Sequence, residues 1–239
     1  PTPLAGVRLG VPEAYFWEEL DPPVAQLARE RLELLREAGA VLVHCDLTEA
    51  GALFREASMT ISLHEILPAL AAYFARHGRP FDARALTDAV VSPDVRPLFE
   101  RLFGSTAIAP EAYAHALHTL RPRMQAAYRE CFARHELAAL VFPTSPLTAA
   151  RIGEDVEVSL CGHRTTAFSA YIRNSGPAGM AGLPAVSLPM GLAFDGLPAG
   201  LEITGAEGSD PALLALALGI EAVLPNAPIA PVVEKLASR

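Results

Sequence analysis

The chain has 239 residues, with 19 Lys plus Arg, 27 Asp plus Glu and a formal net charge of −8. Hydrophobic residues make up 51% and charged residues 19%, which excludes disorder as the main state, and a chain this long buries roughly 70–75% of its unfolded surface without staples. The acidic balance argues against nucleic acid or an anionic membrane as partner, because phosphate recognition needs a basic face.

Lys235 is the only lysine. Cys45, Cys131 and Cys161 are odd in number and show no C-x-x-C spacing, which points to a reducing, cytoplasmic setting rather than a disulfide framework or zinc site. No apolar run reaches the ~18 residues of a membrane span. The opening Pro1-Thr2-Pro3-Leu4 lacks the basic residues of a signal peptide and reads as a chain cut from something longer.

In chain order, Val7–Val11 is a short β-branched run ended by Pro12 and predicts a strand. Asp21-Pro22-Pro23 then opens a helix, with Asp21 as N-cap and proline in the first turn. Val24, Leu27, Ala28, Leu32, Leu35 and Ala38 form its apolar face, and Gly39 stops it. Ala40–Val43 is a second strand, so the two strands should be parallel neighbours in a βαβ unit. From about Thr48 to Leu137 the pattern is mainly helical, with breaks expected at Pro68, Gly78–Pro80, Pro93, Pro97, Gly104 and Pro110. Pro122 should kink the last of these helices unless it begins a new one. Leu140-Val141-Phe142 is a third strand, followed by a Gly-rich irregular stretch to Pro184. Ala185–Leu188 and Leu201–Thr204 are two more, joined through a turn at Asp195-Gly196. A last helix starts at Asp210-Pro211, and its near-uniform apolarity predicts burial on most sides. These segments divide the chain into a βαβ unit (1–47), a helical insertion (48–137), a sheet-completing segment (138–224) and a tail (225–239).

Candidate chemistry is sparse. The turn after the first strand, Pro12-Glu13-Ala14-Tyr15-Phe16, has no G-x-G-x-x-G and places an acid where pyrophosphate would sit, which rejects a dinucleotide site. Glu111, His115 and His118 share one helix side but read as a solvated face, so no metal site is assigned. His44 and Cys45 alternate on a strand, and one of them must face the core. There is no G-x-S-x-G elbow. Ser145 sits just past a strand end, Ser187 lies within a strand where its hydroxyl is expected to be packed, and Lys235 sits in the proline-rich tail. The residues alone give no catalytic set.

Three stretches carry a resemblance. Leu140-Val141-Phe142-Pro143-Thr144-Ser145-Pro146, then Gly182-Leu183-Pro184-Ala185-Val186-Ser187-Leu188-Pro189-Met190-Gly191, then Gly196-Leu197-Pro198-Ala199-Gly200-Leu201-Glu202-Ile203 resemble, in order and spacing, the C-terminal half of the amidase signature family. Gly6–Pro12 with Tyr15-Phe16 resembles the segment that follows that family's catalytic core. Ile172-Arg173-Asn174-Ser175-Gly176-Pro177, with Gly179 where many relatives have asparagine, looks most like the mandelamide and indoleacetamide hydrolase branch.

The resemblance implies an α/β fold, a mixed sheet flanked by helices with a mainly helical middle insertion, here an incomplete amidase signature fold. It also implies cleavage of a carboxylic amide, of aryl or arylalkyl type, to acid and ammonia through an acyl-serine. The family uses a serine, a bridging serine and a lysine that must be neutral to draw a proton, so burial must depress its pKa. None of these has a match here, so no catalytic residue and no cofactor is assigned, and the Ser-Ser-Lys set is expected on a missing N-terminal segment that would be a partner of this chain. Thr144, Ser145 and Pro146, at a strand end, are expected to line the substrate pocket, with Asn174 as a polar contact or loop-fixing group. The plainer reading, that the prolines end the strand and Asn174 caps a turn, stays open. The helical stripe Ile61, Leu63, Ile66, Leu70 and Tyr73 could cover an aryl group or simply pack a core. The alternative for the whole chain is a non-catalytic small-molecule-binding or structural domain derived from the same fold, and a homodimer is a further option.

Overall fold

A computed structural model describes residues 3–104 and 107–225. Its centre is a five-stranded mixed sheet in the order β2-β1-β3-β7-β6. Strand β1 (Arg8–Pro12) pairs in parallel with β2 (Val41–Cys45) and with β3 (Ala139–Pro143), as the βαβ reading requires. The antiparallel hairpin of β6 (Ala185–Leu192) and β7 (Pro198–Thr204) adds to β3, with Phe142 opposite Glu202 and Glu202 opposite Ser187. Strand β3 is buried along its whole length, which suits its unbroken apolar run. The mixed sheet flanked by helices is the fold class the sequence led us to expect.

A single turn, α1 (Glu13–Phe16), links β1 to α2 (Pro22–Glu37). Helix α2 buries Val24, Leu27, Ala28, Leu32 and Leu35. Asp21 precedes it but makes no capping bond; its Oδ1 accepts from the Cys161 amide at 2.7 Å instead. Pro23 at the second helical position removes one of the two amides an N-cap could accept from. Val11, Leu42 and His44 look toward α2, whereas Gly10, Cys45 and Leu140 share the opposite face, where Cys45 meets Cys131. Cys45, Cys131 and Cys161 are all free thiols.

Two proline expectations change. Helix α3 (Thr48–Arg76) runs straight through Pro68, so the break expected there does not occur. Pro68 is exposed, and its missing N–H and the ring's crowding of the preceding turn do not end this 29-residue helix. Pro122 lies in the first turn of α7 (Arg121–His135), directly after a π-helical stretch, Ala116–Leu120, whose widened turn starts the new segment. Short helices α4 (Ala83–Ala89), α5 (Arg96–Glu100) and α6 (Pro110–His115) fill the region between α3 and that stretch.

The stretch expected to be irregular holds an antiparallel hairpin, β4 (Glu157–Leu160) with β5 (His163–Thr166), and two short helices, α8 (Ala167–Ile172) and α9 (Gly176–Ala181). The final helix, α10 (Asp210–Glu221), buries Leu213, Leu216 and Ile220 but leaves Leu214 and Leu218 each 58% exposed. It is therefore covered on one side only, against β6 and β7, and uniform apolarity overstated its burial. One main core runs through the βαβ unit, the N-terminal half of α3, α7 and the sheet. No helix among the described residues is long and apolar enough to cross a membrane.

Among the described residues Glu202 is the one carboxylate buried in this core, 3% exposed, with the Thr204 hydroxyl 3.4 Å from its Oε1 as its side-chain partner. Burial pushes its pKa up to about 7, against the modest opposing effect of the Thr204 bond. The native state therefore holds this proton more tightly than the unfolded chain does. The stabilisation is complete below about pH 4.5 and is lost as pH rises through about 7. Glu202→Gln should flatten the stability profile over that window and gain on the order of 2–3 kcal/mol at pH 8, read from urea melts at a series of pH values.

Candidate functional site

The site grows from the turn that follows β1. Tyr15 adopts φ 73° and ψ −60°, a strained γ-turn conformation that a bulky aromatic rarely takes. Three features hold it there. Its hydroxyl donates to the Arg173 carbonyl at 2.9 Å, and Arg173 Nη1 donates back to the Tyr15 carbonyl. The Arg173 guanidinium also lies over the Tyr15 ring at 4.4 Å and pairs with Glu19 at 3.2 Å. On α3, Gly51 lies flat against the ring, where any methyl group would run into it.

Asn174 completes the lock. It is fully buried, and its Nδ2 donates to the Phe16 carbonyl at 3.0 Å and to the Pro143 carbonyl at 2.8 Å, while Oδ1 accepts from Arg173 at 3.0 Å. Its polar atoms are thus spent on the turn after β1, the end of β3 and Arg173. Burial raises the Tyr15 pKa in spite of the nearby Arg173 and Arg55, so the phenol stays protonated and keeps donating at neutral pH.

Beside this lock opens a cavity of about 1180 Å³. One wall is α3, with Phe54, Arg55, Ser58 and Met59; others come from α5, the β4–β5 hairpin and α8. Phe168 and Ile172 of α8 and Leu98 of α5 make it largely apolar, and Arg55, Arg173 and His163 bring cationic or titratable groups to it. Behind the Phe54 ring lies Gly176, where a side chain would strike it. The stripe from Ile61 to Tyr73 does not line this cavity: Ile61 and Leu63 are buried in the protein, and Tyr73 is 58% exposed at the far end of α3.

Thr144, Ser145, Pro146 and Asn174 do come together at the C-terminal end of β3, yet none of them lines the cavity. Thr144 Oγ1 lies 2.6 Å from Ser187 Oγ, and its amide donates to the Gly200 carbonyl at 2.9 Å. Ser187 is exposed, so its hydroxyl is not packed as expected; β6 is an edge strand whose Ser187 side is left open. The Ser145 hydroxyl is buried without a hydrogen-bond partner, and the Pro146 carbonyl accepts from the Asp21 amide at 2.8 Å. Among the described residues no serine or cysteine is hydrogen-bonded to a histidine, and no group of three or more His, Cys, Asp or Glu could hold a metal. Glu111, His115 and His118 are exposed. Lys235 lies outside the described residues.

Tyr15, Arg55 and Arg173 were not singled out as site residues from the sequence. Tyr15 and Arg173 sit inside the motifs that carry the family resemblance, which was the available signal. Arg55 reads as one more charge on an amphipathic helix.

The family model for amidases matches residues 2–214. This chain belongs to the amidase family. It is 38% identical over 221 residues to indoleacetamide hydrolase of Agrobacterium vitis, an alignment covering 92% of this chain and 47% of that protein. To mandelamide hydrolase of Pseudomonas putida it is 34% identical over 232 residues, covering 93% and 44%. A crystal structure of an amidase superposes with a TM-score of 0.74 at 24% identity, covering 94% of this chain and 47% of that one, and so shares the fold. The chain spans about half the length of the curated relatives it matches.

Two substitutions test the lock. Asn174→Ala strands two buried carbonyls and should destabilise the chain by about 2–4 kcal/mol in denaturant melts. Gly51→Ala should displace the Tyr15 ring and cost about 1–3 kcal/mol, seen as a lower midpoint and a changed tyrosine near-UV signal.

Proposed function

We propose that this chain is the C-terminal portion of an amidase-family hydrolase that cleaves an aryl or arylalkyl carboxylic amide to its acid and ammonia. In this reading the Ser-Ser-Lys set lies on a segment outside this chain, and the 1180 Å³ cavity supplies the walls around the acyl group. The observation that carries it is the lining: Phe54, Met59, Leu98, Phe168 and Ile172 offer the flat and flexible apolar surface an aromatic ring needs. The relatives named indoleacetamide hydrolase and mandelamide hydrolase agree with an aromatic acyl group. Asn174 serves by fixing Arg173 and Tyr15 in the cavity wall. Thr144, with Ser187, is the hydroxyl pair we assign to the substrate side of the β3 end, beside Ser145 and Pro146.

A serine hydrolase needs a nucleophile held by a base. The buried, unpartnered hydroxyl of Ser145 has none, so it does not take that role. Ammonia release from phenylacetamide should be undetectable with the 239-residue chain alone and should appear when the catalytic segment is supplied. Release by the chain alone would refute this division of labour. No release in either case would refute the activity.

A further inference from the structure

Of the guanidinium groups at the cavity, Arg173 is fully engaged: it binds the Tyr15 carbonyl, the Asn174 amide oxygen and the Glu19 carboxylate. Arg55 differs. It is exposed, lines the cavity, and stacks on Tyr15, whose ring centroid lies 5.1 Å from the guanidinium carbon and whose hydroxyl it also reaches. Among the described residues no carboxylate lies within ion-pair distance of it. The acids that share the cavity have other positions or partners: Glu19 pairs with Arg173, Asp94 accepts from the Ser92 hydroxyl at 2.8 Å, and Glu18 lies on the turn before α2.

A guanidinium stacked on a clamped aromatic ring is held in place, and with only the Tyr15 hydroxyl to meet, most of its planar donor fork is left for a carboxylate. Next to it on α3, Phe54 and Met59 are cavity-lining, and Phe168 and Ile172 line the same space from α8. We propose that Arg55 with this apolar wall forms a binding site for an aryl carboxylate, so that the chain retains an aromatic acid more tightly than the corresponding neutral amide. The choice of an aryl acid rests on the amide-hydrolase reading, since that reaction turns a neutral amide into such an anion. The anion site itself rests on Arg55. Its consequence for the enzyme is competitive inhibition by the acid product.

Titration calorimetry of the 239-residue chain with phenylacetate, phenylacetamide and acetate tests this. Phenylacetate should bind tightest of the three and weaken as salt rises. Arg55→Ala should reduce phenylacetate affinity roughly tenfold and leave phenylacetamide within about twofold, while Arg55→Lys, which keeps charge without the fork, should fall between. Arg55 is exposed, so folding is checked simply by an unchanged melting midpoint. Equal phenylacetate affinity in wild type and Arg55→Ala, no preference for the acid over the amide, or no binding at millimolar ligand would each overturn the proposal. Arg55-dependent acid binding in a protein that releases no ammonia from any amide, even with the catalytic segment present, would uphold this site and remove the proposed activity instead.

Discussion

The geometry of the site depends on one buried amide. Strand β3 ends in Pro143, whose carbonyl leaves the ladder in the middle of the fold, and the turn after β1 ends on another inward carbonyl, that of Phe16. A single Asn174 side chain satisfies both. Leaving either carbonyl unpaired would cost on the order of 1–3 kcal/mol. The bond joins segments 158 residues apart, so the turn after β1 and the corner between α8 and α9 are one structural unit although the chain visits them at opposite ends. Arg173, next in sequence, then turns the same corner into the wall of the cavity.

That unit explains why Tyr15 can remain in an unfavourable backbone conformation. A bulky residue with positive φ costs about 1–3 kcal/mol. Two reciprocal hydrogen bonds with Arg173, each worth about 1 kcal/mol net, and a guanidinium stacked over the ring offset that cost. The balance holds only while Gly51 leaves space beneath the ring. The strain and the packing are therefore coupled: α3 presents a glycine where α1 presents a tyrosine, and neither makes sense without the other.

Much of the sheet was legible in sequence because its strands are short apolar runs closed by proline or glycine, and because Asp195-Gly196 is a strong hairpin signal. The β4–β5 hairpin escaped because its two-residue turn is Cys161-Gly162. Both residues have positive φ, as such a turn requires, but cysteine stands where asparagine or aspartate would announce it. Pro68 misled in the other direction, since an exposed proline in a long, well-anchored helix removes a bond without ending the helix. The cavity was less legible still. Its walls come from four separated regions, and nothing in the run Leu53-Phe54-Arg55 distinguishes a side chain facing a cavity from one facing solvent. The residues at the β3 end were picked for their place in a motif, and the structure gathers them there, yet the space opens one turn away, past Asn174.

The division between locked and unlocked groups has a functional consequence. Arg173, Asn174, Tyr15 and Glu19 satisfy one another, so their charges and dipoles are already compensated and have little to offer a ligand beyond shape. Preorganisation of that wall lowers the entropy cost of binding a rigid aromatic ring, because few side chains remain to be ordered. Discrimination among rings of similar shape must then come from a group the lock leaves uncompensated. Arg55 is such a group: its charge has no acid partner among the described residues, and it stacks on the Tyr15 ring that the lock immobilises. The strained turn thus acts on recognition indirectly, by fixing the platform on which an unpaired cation rests.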